Sequence, residues 1–523
     1  MTGVGTYFWT FLRRDRWMYV WWTLGLTVLY YSQAVSVDGL YTTRAEFDRA
    51  AATMEQNTAF IAMAGPPRAL NTIGGQVMWQ ASAFGAVLVG LMSMFLVGRH
   101  TRAEEESGRD ELLRAAPVAR RASLTAALLN ALLANALIGA LVALSLAAFP
   151  LPAADSLAVG VGLALCGWVF SATALVAAQL TSSTRGMYGL AGTVIGAAYA
   201  LRAIGDVGNP ALSWLSPIGW YQGMHPFSGV RWWPALLLVA GAGAAAAAAY
   251  LLFARRDFGA GLWAARPGPA RATPRLGTSF GLAWHLQRGS ILGWTAGLAV
   301  LGIAYGSIGD DVGSVMGDSQ TGHDVLVQGG GDLVDGFYAV ALVTLALIAT
   351  GFAISSALQP RGEEDVGRVE PLLATPLARR SFLLAQVATT VLGTVLVLLG
   401  AGVGLGAGYS LVTGDAGRLL PFTLGALGYL ATLAVPAGAA RLLYGVAPRW
   451  ARLSWLVLLL GFVVLFFGPL FRLPDWVQAL SPYHHLALVP AEPFHWAPFL
   501  ALLVVGAGLS VAGQIGFARR DLR

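Results

Sequence analysis

Lysine is absent from this 523-residue sequence, so all 33 of its basic side chains are arginine. A P-loop nucleotide site needs a lysine that reaches the β- and γ-phosphates. Cysteine occurs once, as Cys166, which excludes an intramolecular disulfide and favours a small buried residue. The chain therefore lacks a P-loop ATPase, and any ATP-driven function needs a separate subunit to hydrolyse ATP.

Charge is also scarce, because 11% of the residues are charged and 56% are hydrophobic. Soluble domains carry about 25% charged residues, so this composition predicts an integral membrane protein. A helix needs about 20 apolar residues to cross a hydrocarbon core of about 30 Å. Twelve stretches meet this need: 17–35, 79–98, 122–150, 156–180, 186–203, 233–253, 290–308, 337–358, 382–412, 419–440, 453–470 and 497–517. They lack the two-residue alternation of a membrane barrel, so the predicted fold class is all-α integral membrane.

The arginines divide unevenly between alternate loops. Of the 33, 26 lie before the first stretch, in the even-numbered connections or at the C-terminus. The positive-inside rule places that set, and both chain termini, in the cytoplasm. Residues 6–16, aromatic beside Arg13 and Arg14, predict an amphipathic helix on the inner surface. The net charge of +6 thus reflects topology and contact with anionic membrane lipids, with no indication of nucleic-acid binding.

Two motifs occur twice. Residues 104–121 recur as 363–380, preserving Glu, Gly, Arg, Glu, Pro and Arg-Arg, and the Phe-Ala-Arg-Arg-Asp of 253–257 recurs as 517–521. The chain is therefore predicted to be a duplicated unit with twelve transmembrane helices arranged as two parallel six-helix repeats. The predicted domains are a first permease half at 1–257, a cytoplasmic linker at 258–278 and a second half at 279–523.

Ionisable residues deep in a membrane are costly and often mark ion-coupled carriers. Here Arg202, Asp206, Arg418, Arg441 and Arg472 lie near the ends of the predicted stretches, where long side chains can snorkel. This distribution disfavours a proton relay. The adjacent histidines at 484–485 have no neighbouring cysteine or carboxylate cluster, so no metal site is predicted. Glycines dispersed through the stretches indicate close helix packing.

The repeated acidic segment is the strongest functional signal. Glutamate four residues before arginine supports a helix, and this spacing predicts the pairs Glu105–Arg109 and Glu364–Arg368. A proline then ends each predicted helix. A solvated connector would account for the charges, but the preserved order favours a docking surface for an ATPase. The predicted ATPase-coupling residues are Glu105, Gly108, Arg109, Glu111, Pro117, Glu364, Gly367, Arg368, Glu370 and Pro376.

This segment resembles the intracellular loop of type 2 ABC permeases, which carries an acidic-Gly-x-x-Glu-Leu-Leu-x-x-x-Pro run. Arg109 and Arg368 stand where many members have threonine, and Pro371 interrupts the second Glu-Leu-Leu. The duplicated, lysine-free chain is similar to actinobacterial polyketide-antibiotic exporters of the tetronasin type. The resemblance implies a bacterial plasma-membrane location and efflux of hydrophobic or amphipathic small molecules. It also implies a separate ABC ATP-binding subunit, present as two copies, which would hold ATP and Mg, with no cofactor in this chain.

The leading hypothesis is therefore the permease subunit of an ABC exporter, with no catalytic residue of its own. Candidates for the substrate path are aromatic and Met residues of the second, fifth, eighth and eleventh stretches: Trp79, Phe84, Met92, Met94, Met187, Tyr188, Tyr199, Phe337, Tyr338, Phe352, Trp455, Phe462 and Phe466. For any single one, helix packing or lipid contact is the simpler interpretation. A secondary, ion-coupled drug carrier is the alternative. A membrane-embedded lipid-modifying enzyme is more distant, because only His484, His485 and Glu492 resemble catalytic groups near the outer surface.

Overall fold

The computed structural model describes residues 2–40, 43–56, 58–109, 117–257, 259–263, 270–309, 333–471 and 474–521. Within these ranges the chain is helical and contains no β-strand. The Cα positions divide into two compact units, Met1–Gly268 and Pro269–Arg523. An all-helical fold follows from the long apolar stretches, because a helix satisfies its backbone hydrogen bonds without a partner.

The first unit contains eleven described helices, among which α7 is central and packs against α4, α6, α8 and α11. The bounds are α1 Val4–Leu40, α2 Arg44–Gln56, α3 Thr58–Ala64, α4 Ile73–His100, α5 Arg102–Glu106, α6 Ala122–Ala148, α7 Ala153–Leu180, α8 Thr184–Val207, α9 Pro210–Ser213, α10 Pro217–Gln222 and α11 Trp233–Arg255. Cys166 is fully buried within α7, as its sequence context predicts.

The second unit contains ten described α-helices, with α13 packed against α12, α16, α18 and α19. The bounds are α12 Ser279–Gly306, α13 Leu333–Ala357, α14 Gln359–Asp365, α15 Val369–Leu373, α16 Arg379–Thr413, α17 Leu419–Gly428, α18 Leu430–Val446, α19 Trp455–Phe471, α20 Asp475–Ala479 and α21 Trp496–Arg519. The predicted stretch at 419–440 is thus two helices, α17 and α18, that meet at Tyr429.

Eleven helical segments of the described chain are long and apolar enough to cross a membrane, whereas the sequence predicts twelve. The difference is α1, which has 37 residues but whose first third carries Arg13, Arg14, Asp15 and Arg16. Tryptophan, tyrosine, serine and threonine then replace aliphatic residues along much of its length. The predicted amphipathic helix at 6–16 is therefore the beginning of α1, continuous with the first predicted span.

Glycines bring helix backbones into direct contact, which confirms the predicted packing role at these positions. A Cβ atom on Gly513 in α21 would lie 2.4 Å from the carbonyl oxygen of Arg441 in α18. A Cβ on Gly438 would similarly lie 2.4 Å from the oxygen of Gly506. Close backbone approach through small residues is the usual way that membrane helices gain packing energy. In the second unit it fixes α18 against α21.

Candidate functional site

The two copies of the acidic segment share one backbone feature, a glycine in the left-handed region. The short helix α5 ends at Glu106, and Gly108 follows with φ of +70°. Helix α14 ends at Asp365, and Gly367 follows with the same φ of +70°. Glycine adopts this conformation without the steric cost that a Cβ atom adds. The turn therefore accounts for the glycine that both copies preserve.

This turn overturns the predicted local pairs Glu105–Arg109 and Glu364–Arg368. The i,i+4 spacing brings side chains together only on a continuous helix, and each glycine ends the helix before the arginine. Arg109 instead lies 4.0 Å from Glu104, and Arg368 lies 3.3 Å from Glu363. Glu105 and Glu364 are consequently free to pair with residues distant in sequence.

In the first unit, Glu105 pairs with Arg256, which follows the last helix of that unit. Arg256 Nη1 donates to Glu105 Oε2 at 3.0 Å, and its Nη2 donates to Oε1. Arg102 adds a third donor to the same carboxylate at 2.8 Å. The guanidinium of Arg256 also lies 5.3 Å from the ring centre of Phe253. Both side chains of the central pair are buried, with 7% of Glu105 and 4% of Arg256 exposed.

The second unit contains the same pair between Glu364 and Arg520. Arg520 donates to both carboxylate oxygens, at 2.8 Å and 2.6 Å, and Arg361 stands 4.0 Å away. The guanidinium lies 5.0 Å from the ring centre of Phe517. Burial lowers the pKa of Arg520, but the hydrogen bonds and charge of Glu364 outweigh burial and raise it. Bidentate arginine–carboxylate pairs are both stronger and more directional than single hydrogen bonds.

One further arginine completes each arrangement. Arg120, just before α6, donates to the backbone oxygen of Arg256 at 3.0 Å, and Arg379, at the start of α16, donates to that of Arg520 at 2.8 Å. We define the first clamp as Arg102, Glu105, Arg120, Phe253 and Arg256, and the second clamp as Arg361, Glu364, Arg379, Phe517 and Arg520. Each clamp joins the acidic segment to the beginning of one long helix and to the end of another.

The sequence alone predicts neither clamp, although both repeated motifs contribute residues to each clamp. Arg256 and Arg520 belong to the repeated Phe-Ala-Arg-Arg-Asp motif, and they lie 151 and 156 residues from their glutamate partners. The available signal was that two oppositely charged motifs recur together in both halves. Charged residues near membrane helices are more stable when they form ion pairs with each other, because a buried charge without a partner raises the free energy of the folded protein.

The remaining predicted coupling residues are mainly exposed. Arg109, Pro117, Arg368 and Pro376 are at the surface, and Glu370 is exposed in the first turn of α15 with no ion-pair partner among the described residues. Helix α15 ends at Leu373, three positions before Pro376. Glu111 lies outside the described residues. The role of each residue in coupling stays a prediction.

The beginning of α1 attaches to the first acidic segment through further ion pairs. Arg14 pairs with Glu104, whose side chain is largely buried. Asp15 is buried between Arg99, with Nε 3.1 Å from Oδ1, and His100, with Nε2 2.5 Å from Oδ2. The ring of His100 stacks on Phe11 at a centroid distance of 3.9 Å. These contacts explain why charged residues are tolerated in the first third of α1.

Snorkelling does not explain two of the arginines that the sequence places at helix ends. Arg202 is fully buried, with its guanidinium 4.5 Å from the ring centre of Tyr199 and Nη2 donating to the Met63 oxygen at 3.0 Å. Arg441 directs one nitrogen, Nη2, into a buried position that has no hydrogen-bond partner. Arg418 pairs with Asp335 at a helix end. Arg472 lies outside the described residues.

The substrate-path candidates divide between helix packing and the protein surface. Buried candidates make internal contacts; Tyr338, for example, donates to the Gly309 oxygen at 2.9 Å, and Trp79 donates to the Gly65 oxygen at 2.8 Å. Met92, Met94, Met187 and Phe352 are also buried; Tyr188, Tyr199 and Phe337 are half-buried; Phe84, Trp455 and Phe462 are exposed. The side chain of Phe466 lies outside the described set. A transport role for any of these residues stays a prediction.

The groups that resemble catalytic residues bond to the backbone. Nε2 of His485 lies 2.7 Å from the Ala479 oxygen, and Glu492 accepts from the Leu488 amide at 3.0 Å. Across the described part of the chain, no three His, Cys, Asp or Glu side chains are placed to hold a metal ion. The lipid-modifying hypothesis thus gains no support from this region.

Two comparisons place the chain among known proteins. Residues 276–518 match the family model described as the C-terminal domain of the multidrug efflux system permease Rv1217c. The chain is also 40% identical over 524 residues to the multidrug efflux system permease protein Rv1217c of Mycobacterium tuberculosis, covering 98% of this chain and 94% of that protein. Both matches concern a permease, which agrees with a transporter and not an enzyme.

Proposed function

The chain belongs to the family of multidrug efflux permeases, and from this premise we propose that it is the membrane-spanning subunit of an ATP-driven ABC exporter. Its partner would be a separate ATP-binding subunit, in two copies, that holds ATP and Mg. The exported compounds would be hydrophobic or amphipathic small molecules. We further propose two homologous six-helix halves, a bacterial plasma-membrane location and cytoplasmic termini.

The pair of clamps is the observation that supports this proposal. In each unit, the clamp bonds an acidic segment to the ends of long helices, while charged residues next to the glycine turn remain exposed. A docking loop must present surface groups to its partner and also be firmly attached to the helices that move. An ion-coupled carrier has no need of two such segments with the same geometry.

The first test concerns the energy source. We expect the purified chain in lipid nanodiscs to hydrolyse no ATP, because the sequence contains no lysine for a P-loop. Addition of the proposed ATP-binding subunit should produce hydrolysis and ATP-dependent accumulation of a fluorescent drug in inside-out vesicles. A matched preparation with a Walker-lysine variant of the partner is the control. Drug uptake driven by a pH gradient alone, without ATP, would contradict this proposal and would favour the ion-coupled carrier.

The second test concerns the docking surface. Glu370→Arg reverses an exposed charge on α15 and should weaken capture of the ATP-binding subunit, because a charge pair that becomes buried at an interface costs about 2–5 kcal/mol when one partner is removed. Glu111→Arg is the corresponding change in the first segment. Asp415→Arg, an exposed acid at the other end of α16, is the matched control and should leave capture unchanged. Normal capture and export by the Glu111→Arg, Glu370→Arg double variant would contradict the docking role and would mean that these segments only connect helices.

A further inference from the structure

The second unit contains a cavity of about 330 Å³ among helices α16, α18 and α21. Aliphatic side chains form most of its wall, and Leu384, Val391 and Val511 are about half exposed at its edge. The cavity therefore opens at the surface of the second unit, along helices long and apolar enough to cross a membrane. Its volume is at the lower end of the range for small-molecule sites, which suits a single slender ligand.

The charged and amide groups of the cavity lie at one end, while two threonines, Thr390 and Thr394, line it along α16. Arg441, Ser510 and Gln514 lie near the C-terminal ends of α18 and α21, whereas Leu430 and Leu503 line the opposite end. The eleven-residue separation between Leu430 and Arg441 on α18 corresponds to roughly 16 Å of helix. The cavity is thus amphipathic along its length, with a cationic end and an apolar body.

The guanidinium of Arg441 has incomplete bonding within the described structure. Nη1 donates to Ser510 Oγ at 3.3 Å, and Ser510 already donates to the Gly506 oxygen at 2.9 Å. Nη2 is buried and has no hydrogen-bond partner, and no described carboxylate lies within 4.0 Å of the guanidinium. A guanidinium nitrogen buried without a hydrogen-bond partner or a counter-ion is costly within a membrane-spanning helix, so an anion at this position would be favoured.

The surrounding backbone holds this arrangement in place. Arg441 lies between two glycine contacts, Gly438 against Gly506 and Gly445 against Gly513, where α18 and α21 touch directly. Separation of the two helices to hydrate the guanidinium would break both contacts. The backbone of Arg441 is therefore held at the end of an apolar cavity, five residues before the last residue of α18.

We propose that this cavity binds one amphiphile with an anionic carboxylate or phosphate head and an apolar chain. The head would accept hydrogen bonds from Nη2 of Arg441 and from the amide of Gln514, and the chain would lie along α18 toward Leu430. A neutral compound of the same shape would leave the guanidinium uncompensated. The ligand is either an anionic lipid of the bilayer or a free acid, because both offer the same chemistry. The inference concerns binding and does not depend on the source of energy for transport.

Photolabelling of the full-length chain in phosphatidylcholine nanodiscs tests the site. The probe is a lauric acid carrying a diazirine, and the matched neutral probe is lauryl alcohol with the same diazirine. We expect the acid to label α16, α18 and α21, and Arg441→Gln to reduce that labelling by about tenfold or more, as loss of a hydrogen-bonded charge predicts. The alcohol should label both proteins equally and weakly. Arg452→Gln, a substitution of an exposed arginine nearby, should leave labelling unchanged.

Two further variants keep the outcome clear. Ala507→Leu fills the cavity while keeping Arg441, and should also reduce acid labelling. Arg441→Lys keeps the positive charge and should retain part of the acid labelling. This result would distinguish loss of the ligand from misfolding. Competition by phosphatidylglycerol in the nanodisc would identify a bilayer lipid as the occupant, and its absence would identify the free acid. Equal labelling by acid and alcohol in the wild type, or full acid labelling in a folded Arg441→Gln protein, would overturn the proposal.

Discussion

Replacement of Glu364 or Arg520 by alanine is expected to destabilise the second unit by about 3–5 kcal/mol and to reduce the amount of folded protein in the membrane. The pair is bidentate and largely buried, with 3% and 16% of the two side chains exposed. Removal of one partner leaves the other charge buried without compensation, which costs more than the intact pair contributes. Thermal unfolding in a mild detergent, followed by size-exclusion chromatography, measures the loss.

A double-mutant cycle isolates this interaction. The Glu364→Ala, Arg520→Ala double variant should be no less stable than either single variant, because it leaves neither charge unpaired. Arg368→Ala is the matched control: it removes an arginine of the same segment that is 69% exposed, and should cost no more than about 0.5 kcal/mol. Additive losses in the double variant, or a large loss in the control, would contradict the clamp.

The corresponding substitutions in the first unit should behave differently. Glu105 is bonded by two arginines, Arg102 and Arg256, so Glu105→Ala leaves two uncompensated guanidinium groups. Arg256→Ala leaves the carboxylate with Arg102 as a remaining partner, 2.8 Å away. The loss of stability should therefore be greater for Glu105→Ala than for Arg256→Ala.

Gly513→Val should prevent α21 from packing on α18 and remove folded protein from the membrane. A Cβ atom at this position would lie 2.4 Å from the Arg441 oxygen and 2.6 Å from its carbonyl carbon. Both are backbone atoms and cannot rotate away, so the helices must separate and lose their contact along this side. Overpacking of a tight core usually costs about 1–3 kcal/mol, and a clash between two helix backbones should exceed that range.

Gly508→Val provides the control on the same helix. A Cβ atom there meets nothing within 4 Å, so the substitution changes helix composition without a clash. We expect Gly508→Val to give normal abundance by immunoblot and a normal unfolding temperature, and Gly513→Val to lower both. Equal behaviour of the two variants would mean that α18 and α21 do not pack through these glycines.

The helices could be predicted well because their cause is local. Long apolar stretches separated by arginine clusters gave bounds close to α6, α16 and α21, since lipid leaves the backbone few alternatives. Two stretches differed from the prediction. The stretch 419–440 is divided at Tyr429 into α17 and α18. In α1, aromatic and hydroxyl residues make the stretch less apolar, and Arg14 and Asp15 form ion pairs with later residues. Such pairs cannot be inferred from helical periodicity.

The position of the candidate site along the chain could be predicted from the sequence, but the contacts between its residues could not. Repetition identified the acidic segments, yet helical spacing assigned Glu105 and Glu364 to the wrong arginines because a glycine turn lies between them. Arg441 shows the same difficulty in another form. Its position near a helix end predicted contact with headgroups, whereas the packing of α18 on α21 places it in an apolar cavity. In each case the surroundings of the side chain depend on tertiary contacts, which a local sequence pattern does not encode.

Each clamp has a mechanical consequence for its unit. The glutamate of the acidic segment bonds to an arginine beyond the last turn of one long helix, and an arginine beside the first turn of a second long helix bonds to that same residue. A displacement of the segment would therefore be transmitted to both helix ends through the shared arginine, Arg256 or Arg520. In the proposed exporter, a force on the exposed part of the segment would thus reach two long helices of the same unit at once.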